Sequence, residues 1–446
     1  MKNIDEMRFS RTHAVLFFVL LASIYYLFWG ARTDMKDTAF FGSDTWEYQS
    51  MGVNFAKGHG IQKFGSLESF KTYKFENLTP LPTYYEDFIY SAGQDDFYRS
   101  PAYPLFLGLV YRLFGISPRI AKALQLLMLV IIAASLPHIG YHYWRKIGFI
   151  GGIPAGFLYL TTNYKLSEEI LTESLIAFTV LLVLVALIIY EERQKMVTAC
   201  LLGFSLGFAL LVKGSLIFLP ILTFSVILTS TIINKNLGGL KRLLVIMVST
   251  GLMVLPWSTY ASLKSGELIF LSTQGNSQLL SDNTELCIEG GYHPGWVDNK
   301  AAFYNNDGIK NEHALEKVVN FYLHYPALLP RCLYAKFLRG FGPMPYLWIF
   351  AVFLFLDGIF RIINNRVKPE YSSDLKGRFV MRIPWPFWVL GGNFLLITFI
   401  FHAESVIVPS RFVAPMDFVF ALLCCVIVLT FLSNIYRNLH AKQGGG

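Results

Sequence analysis

Residues 166–235 read LSEEILTESLIAFTVLLVLVALIIYEERQKMVTACLLGFSLGFALLVKGSLIFLPILTFSVILTSTIINK. Three apolar runs, 168–190, 196–212 and 215–233, approach or reach the length of about 20 helical residues that a hydrocarbon core requires. Lipid offers no water to backbone N–H and C=O groups, so runs of this length are read as helices that satisfy their own hydrogen bonds. One turn between them is charged, Glu191-Glu192-Arg193-Gln194-Lys195, and the other is the short Lys213-Gly214 turn. The stretch predicts an up-and-down helical bundle in a membrane.

The same pattern recurs outward in both directions, at 13–30, 118–143, 149–163, 240–258, 344–363, 383–402 and 412–435. The fold class is therefore an all-α polytopic membrane protein with about ten transmembrane helices, and 8–13 as the outer bounds because several runs are short or polar-ended. Composition agrees: 54% of the 446 residues are hydrophobic and only 15% charged, with a mean hydropathy of +0.45. The net charge of +8 is better explained by loop bias than by nucleic acid. With the N-terminus inside, the cytoplasmic segments collect Arg145, Lys146, Arg193, Lys195, Lys235, Lys241, Arg242, Arg361, Arg366, Arg378, Arg382 and Arg437, whereas the short outside turns hold Lys165, Lys213 and Arg411. Both termini are expected in the cytoplasm. The first span is an uncleaved anchor, since Trp29-Gly30-Ala31-Arg32 offers no clean small-x-small cleavage site.

Two extracytoplasmic insertions, 31–117 and 259–343, are too long for connectors, although 1–446 forms a single membrane-embedded domain. In the first, LFLGLVYRLFG at 105–115 is too short to cross a bilayer and reads as an interfacial helix on the outer face. The second carries an amphipathic pattern from about His313 to Tyr322. Cys200, Cys424 and Cys425 lie in spans, and Cys287 and Cys332 share the second insertion, where an oxidising compartment would let them pair. The absence of a P-loop, a dinucleotide glycine motif or metal-ligand spacing disfavours a nucleotide-driven pump.

Five charged positions carry candidate chemistry. Asp44, in FGSDTWEYQS, hangs over the outer surface, where a carboxylate can take a proton from an attacking group; the competing role is a helix N-cap before WEYQSMGVNFA. Glu173 is placed about one turn inside a span opened by Glu168 and Glu169, where it complements the helix dipole or faces a wet cavity. Lys213 either snorkels at the interface or directs its ammonium at the phosphate of a lipid-linked substrate. Arg99 and Arg411 are interfacial anchors or further cations around the same outer cavity.

Taken in order, these residues fall into a pattern: D-x-x-E-Y at Asp44, Glu47 and Tyr48; R-x-P-x-Y-P-L from Arg99 to Leu105; T-E-x-L at Thr172, Glu173 and Leu175; G-x-x-x-G at Gly203 and Gly207 before Lys213; P-W at Pro256-Trp257; S-T-x-G at Ser272, Thr273 and Gly275; R-[YF] at Arg411-Phe412. The chain thereby resembles the polytopic glycosyltransferases of fold class C, in particular the branch with the protein O-mannosyltransferases and the lipid A aminoarabinose transferases. It departs from them at Lys213-Gly214, where the family often has Arg-Pro, and after Ser272-Thr273, where QGNSQLLSDNTEL replaces a G-N-N element. The first change keeps a cation but trades a planar fork for a point charge.

The resemblance implies transfer of a sugar from a polyprenyl-phosphate donor, such as undecaprenyl phosphate, to an acceptor at the outer face by a single inverting displacement. Asp44 would be the base, and Arg99, Lys213 and Arg411 would hold the donor phosphate. Glu47, Tyr48, Tyr103, Glu173, Trp257, His402 and Glu404 are candidates for sugar or acceptor contacts. No cofactor is required, and a divalent metal fits the reading without being assigned ligands. The acceptor is a glycolipid such as a lipopolysaccharide precursor, a polysaccharide or a protein, and the setting a bacterial inner membrane. The rival is a transporter or flippase of a lipid-linked sugar, disfavoured because ionisable residues cluster at one face and no second half mirrors the first.

Overall fold

The computed structural model describes residues 11–33, 43–62, 97–275, 279, 283, 314–341, 352, 383–401 and 416–443, and these are almost wholly helical. In chain order the elements are α1 (Arg11–Gly30), α2 (Ser43–Lys57), α3 (Ala102–Phe114), α4 (Pro118–Asn163), α5 (Glu173–Arg193), α6 (Met196–Val212), α7 (Phe218–Ile233), α8 (Leu237–Ser265), α9 (Ala314–His324), α10 (Leu328–Phe341), α11 (Trp385–Phe401) and α12 (Asp417–Gln443). Among the described residues five segments are long and apolar enough to cross a membrane: Thr12–Gly30, Pro118–Ser167, Glu173–Arg193, Gly214–Ile233 and Leu237–Ser265. Met196–Val212, Trp385–Thr398 and Asp417–Ser433 are shorter apolar helices. The span expected at 344–363 lies outside the described residues.

The two spans expected at 118–143 and 149–163 form one element, α4, folded into a hairpin at Trp144 and Arg145, where Arg145 takes a φ of 52°. The arms lie backbone against backbone. A Cβ at Gly140 would overlap the Gly148 carbonyl, and one at Gly152 would overlap the Pro137 backbone. One arm carries Leu126, Leu129, Ile132 and Leu136 into the core, and α5 answers with Ala177, Val180, Leu184 and Leu187, all buried. In contrast, α1 shows Val15, Leu16, Val19, Leu20 and Leu27 at its surface, an apolar face suited to lipid.

Helices α6 and α8 make the second close contact. The G-x-x-x-G pair is what permits it: a Cβ at Gly203 would sit 2.5 Å from the Ile246 carbonyl oxygen, and one at Gly207 would sit 2.8 Å from that of Thr250. The Thr250 hydroxyl donates to the Gly203 carbonyl at 3.1 Å. Helix α8 starts at Asn236, whose side chain accepts the Gly239 N–H, and ends at Gly266 in the left-handed region, so it outruns the expected 240–258 at both ends.

The α5 span also begins later than expected. Tyr164–Ser167 is a 3₁₀ turn and Glu173 is the first α5 residue, so Glu173 sits at the helix start and not a turn inside a span. In the second insertion Cys332 is disulfide-bonded, whereas Cys200, Cys424 and Cys425 are free; Cys287 lies outside the described residues. The amphipathic run begins at Ala314 as α9 and is followed by α10, whose Lys336 is fully buried. The Lys336 ammonium donates to Asn283 Oδ1 at 2.8 Å and to the Ile400 carbonyl at 3.2 Å, tying α10 to the end of α11.

Replacing Gly152 with leucine should destabilise the α4 hairpin by about 1–3 kcal/mol, the usual cost of overpacking a tight contact. Thermal unfolding of the purified protein should show a lowered midpoint. Gly251→Ala, where a Cβ meets nothing within 4 Å, should leave the midpoint unchanged or raise it.

Candidate functional site

Helix α2 places Asp44, Glu47, Tyr48 and Met51 on one face, by the i, i+3, i+4, i+7 spacing. Opposite them the chain enters α3 through Phe97-Tyr98-Arg99-Ser100-Pro101. Arg99 fastens the two segments together: its Nη2 donates to Asp44 Oδ1 at 2.5 Å and its Nε to Glu47 Oε2 at 2.7 Å. Tyr48 and Tyr98 flank the guanidinium, with ring centroids 5.3 and 5.1 Å from Cζ. Burial works against the Arg99 charge, but Tyr48, Asp44 and Glu47 together outweigh it and hold its pKa well above the ordinary arginine value.

The two carboxylates differ in access. The Glu47 side chain is 9% exposed and that of Asp44 is 30% exposed. Asp44 lies within the first turn of α2, one residue past the helix start, and its carboxylate is engaged by Arg99.

Below the ion cluster is a packed aromatic wall. Tyr48 meets Tyr103 edge-to-face at 5.0 Å, and the Tyr103 hydroxyl donates to Gln125 Oε1 at 2.5 Å. Gln125 Nε2 in turn donates to the Glu169 carbonyl at 2.7 Å, which joins the cluster to the loop leading to buried Glu173. Tyr48, Tyr103 and Trp257 are themselves buried, so their rings pack against protein here.

Trp257 organises the other side. Its indole N–H donates to the Leu271 carbonyl at 2.7 Å, and its ring lies 6.0 Å from that of Phe97. The segment after α8 folds back along that helix, and the Thr273 N–H reaches the Phe97 carbonyl at 2.9 Å, two residues before Arg99. Gly214 lies against the same segment, with its Cβ position 3.8 Å from Leu271 Cδ1 and 3.9 Å from Ser272 Oγ. Lys213, the C-terminal cap of α6, is thus held one residue from a strip that also touches the Arg99 segment. The P-W and S-T elements are the brace between them.

The structure therefore brings Asp44, Glu47, Tyr48, Arg99 and Tyr103 together in direct contact. Trp257 joins them through Phe97, whereas Lys213 and Glu173 are linked only by longer relays, Lys213 through Gly214, the 271–273 strip and Phe97, and Glu173 through the 169–172 loop and Gln125. Arg411, His402 and Glu404 lie outside the described residues. Among the described residues no three His, Cys, Asp or Glu side chains gather as metal ligands.

Several buried polar positions escaped the sequence reading, Gln125, Lys122 and Asp417 among them. Gln125 is fully buried, and Lys122, at 3% exposure, precedes it by three residues on the same helix face. Asp417 Oδ2 accepts from Asn163 Nδ2 at 3.0 Å and from the Thr162 hydroxyl at 3.2 Å, locking the start of α12 to the end of α4. Polar interruptions in apolar runs, KALQ and MDF, were their only signal.

No family model matches this chain, and no curated protein matches it. Among solved structures, it is similar to ArnT from Cupriavidus metallidurans bound to undecaprenyl phosphate, with 16% identity, a TM-score of 0.47, and coverage of 94% of this chain and 60% of that one. ArnT in the apo state aligns at 15% identity and a TM-score of 0.47, covering 92% of this chain and 59% of that one. This chain thus spans about three fifths of the length of those structures.

Arg99→Met should cost about 3–5 kcal/mol of stability, because it leaves buried Glu47 without its guanidinium. Adding Glu47→Gln should recover part of that loss. A double-mutant cycle on thermal or denaturant unfolding measures the coupling, and additive effects of the two changes would show that the pair is not held together as described.

Proposed function

We propose that this protein transfers a sugar from a polyprenyl-phosphate donor to an acceptor at the outer face of a bacterial inner membrane, with both termini cytoplasmic. The observation that carries the reading is the asymmetry of the ion cluster. Two carboxylates share one buried arginine, and only Asp44 is substantially accessible. A neighbouring guanidinium favours the ionised form of a carboxylate, which is the form that accepts a proton.

In the proposed step Asp44 takes the proton from the acceptor hydroxyl or amine as its O or N attacks the anomeric carbon. The new glycosidic bond forms on one face while the bond from that carbon to the phosphate oxygen breaks on the other. The electron pair leaves with the polyprenyl phosphate, and the configuration inverts. A phosphate leaving group needs no general acid. It needs fixed positive charge, which is most effective where charge develops in the transition state.

Lys213 and Arg411 are assigned to the donor phosphate. Arg99 is assigned to it only in part, since its Nε and Nη2 face Glu47 and Asp44. Glu173, His402 and Glu404 remain candidates for the sugar or acceptor. Glu47 is assigned to orienting Arg99, and no cofactor is assigned a step.

Asp44→Asn should lower transfer by about 10²- to 10⁴-fold, the usual share of a general base, with donor binding nearly intact. Transfer assayed in liposomes with the polyprenyl-phosphate-sugar found by mass spectrometry of the copurifying lipid tests this, and full retained turnover removes Asp44 as the base. Lys213→Ala should weaken undecaprenyl phosphate binding, read as a raised dissociation constant, and Lys213→Arg should restore part of it. An unchanged constant would return Lys213 to the role of interfacial anchor.

A further inference from the structure

At the opposite end of the bundle from the ion cluster, four helix ends enclose a cavity of about 360 Å³. Its wall comes from the end of α5 (Glu191, Gln194), the end of α7 (Ser230, Asn234), the start of α8 (Asn236, Arg242) and Trp385 at the start of α11. From Arg242 to Trp257 along α8 is 15 residues, or about 22 Å at helical rise, so this cavity is separate from the outer site.

The lining mixes polar and apolar groups and carries both signs of charge. Arg242 Nη2 donates to Gln194 Oε1 at 3.1 Å, while its Nε is buried and has no acceptor among the described residues. Burial closes Nε to an incoming ligand, so it is the Nη end of the guanidinium that is open to the cavity, and a phosphate oxygen is the acceptor such a group suits best. Glu191 supplies the anion, oriented by the Tyr143 hydroxyl, which donates to Glu191 Oε2 at 3.0 Å. A cation and an anion in one pocket fit a zwitterion better than a bare phosphate.

The surroundings select an amphiphile. Val226 lines the cavity, and beside its rim Ile233, Leu237 and Leu240 are 73%, 79% and 51% exposed, an apolar strip that would lie against acyl chains. Trp385 sits at the rim, where indole rings favour the headgroup level. We infer that this cavity binds the headgroup of a zwitterionic aminophospholipid of the inner leaflet, its phosphate on Arg242 and its ammonium toward Glu191. The lipid ties α5, α7, α8 and α11 together at the end of the bundle away from the ion cluster. This inference stands whether or not the proposed transfer reaction is correct.

The full chain, delipidated in detergent, should be titrated with dioleoyl phosphatidylethanolamine, dioleoyl phosphatidylglycerol and glycerophosphoethanolamine, with bound lipid counted by native mass spectrometry and stability followed by thermal shift. Phosphatidylethanolamine should give one retained adduct and a raised midpoint. Arg242→Ala should weaken that adduct by about tenfold, and Glu191→Gln should reduce the preference for ethanolamine over glycerol headgroups. The wild-type titration decides the matter even if a variant fails to fold. Equal binding of phosphatidylglycerol, equal protection by glycerophosphoethanolamine, or an adduct indifferent to Arg242→Ala would each overturn the proposal.

Discussion

The end of this protein that holds α2 and α3 depends on a single requirement: the guanidinium of Arg99, a residue only 7% exposed, must be neutralised where it lies. Taking an ion out of water costs several kcal/mol, and only close, well-directed partners offset it. Asp44 and Glu47 are those partners, and both come from the first turns of α2. The helix is therefore anchored at its start by charge and along its length by packing, with Gly52 set against Leu107 and Gly108 against Phe55. Remove the arginine and α2 loses the link that fixes its direction relative to α3. One ion cluster thus serves as a structural joint, and under the proposed function the same residues would be the reactive centre.

The cluster is held from the far side by backbone rather than by charge. Helix α8 comes close to α6 because Gly203 and Gly207 leave room for it, and its trailing segment then returns to meet Phe97 through Thr273 and to meet Gly214 through Leu271 and Ser272. Two distant parts of the sequence, the turn bearing Lys213 and the strip bearing Arg99, thereby share a neighbour. Such a brace transmits position well because its hydrogen bonds are short and its aromatic core, Phe97, Trp257 and Tyr260, is tightly packed.

Much of this was legible in the sequence, and the limits of legibility have physical causes. Helix existence followed from apolar length, as at 13–30 and 196–212, because in lipid the backbone has few alternatives. The hairpin of α4 was legible as two spans but not as a backbone contact, since glycines at 140, 148 and 152 signal closeness only once a partner is known. Asp44, Glu47, Tyr48, Arg99 and Tyr103 were legible as one set of candidates through the order of their motifs. That Arg99 faces two carboxylates was not, because 52 residues separate it from Glu47 and pairing at that range is set by tertiary structure alone. Gln125 and Lys122 were hidden for the opposite reason. Each is a lone polar residue in an apolar run, and only burial distinguishes a bracing side chain from a snorkelling one.

The charge balance of the cluster constrains any chemistry assigned to it. Asp44, Glu47 and Arg99 together carry one net negative charge when all are ionised, so the cluster as it stands repels a phosphate more than it attracts one. A proton moving from an acceptor to Asp44 would bring that sum to zero at the moment when negative charge passes to the leaving phosphate. In the proposed reaction the base and the leaving group would thus be coupled electrostatically, and the cation that holds the donor beforehand would have to come from elsewhere. The proposed function assigns that part to Lys213. It stands at the end of α6 against the strip that touches the Arg99 segment, and as an ammonium it can approach a phosphate without the fixed fork that commits Arg99 to its carboxylates.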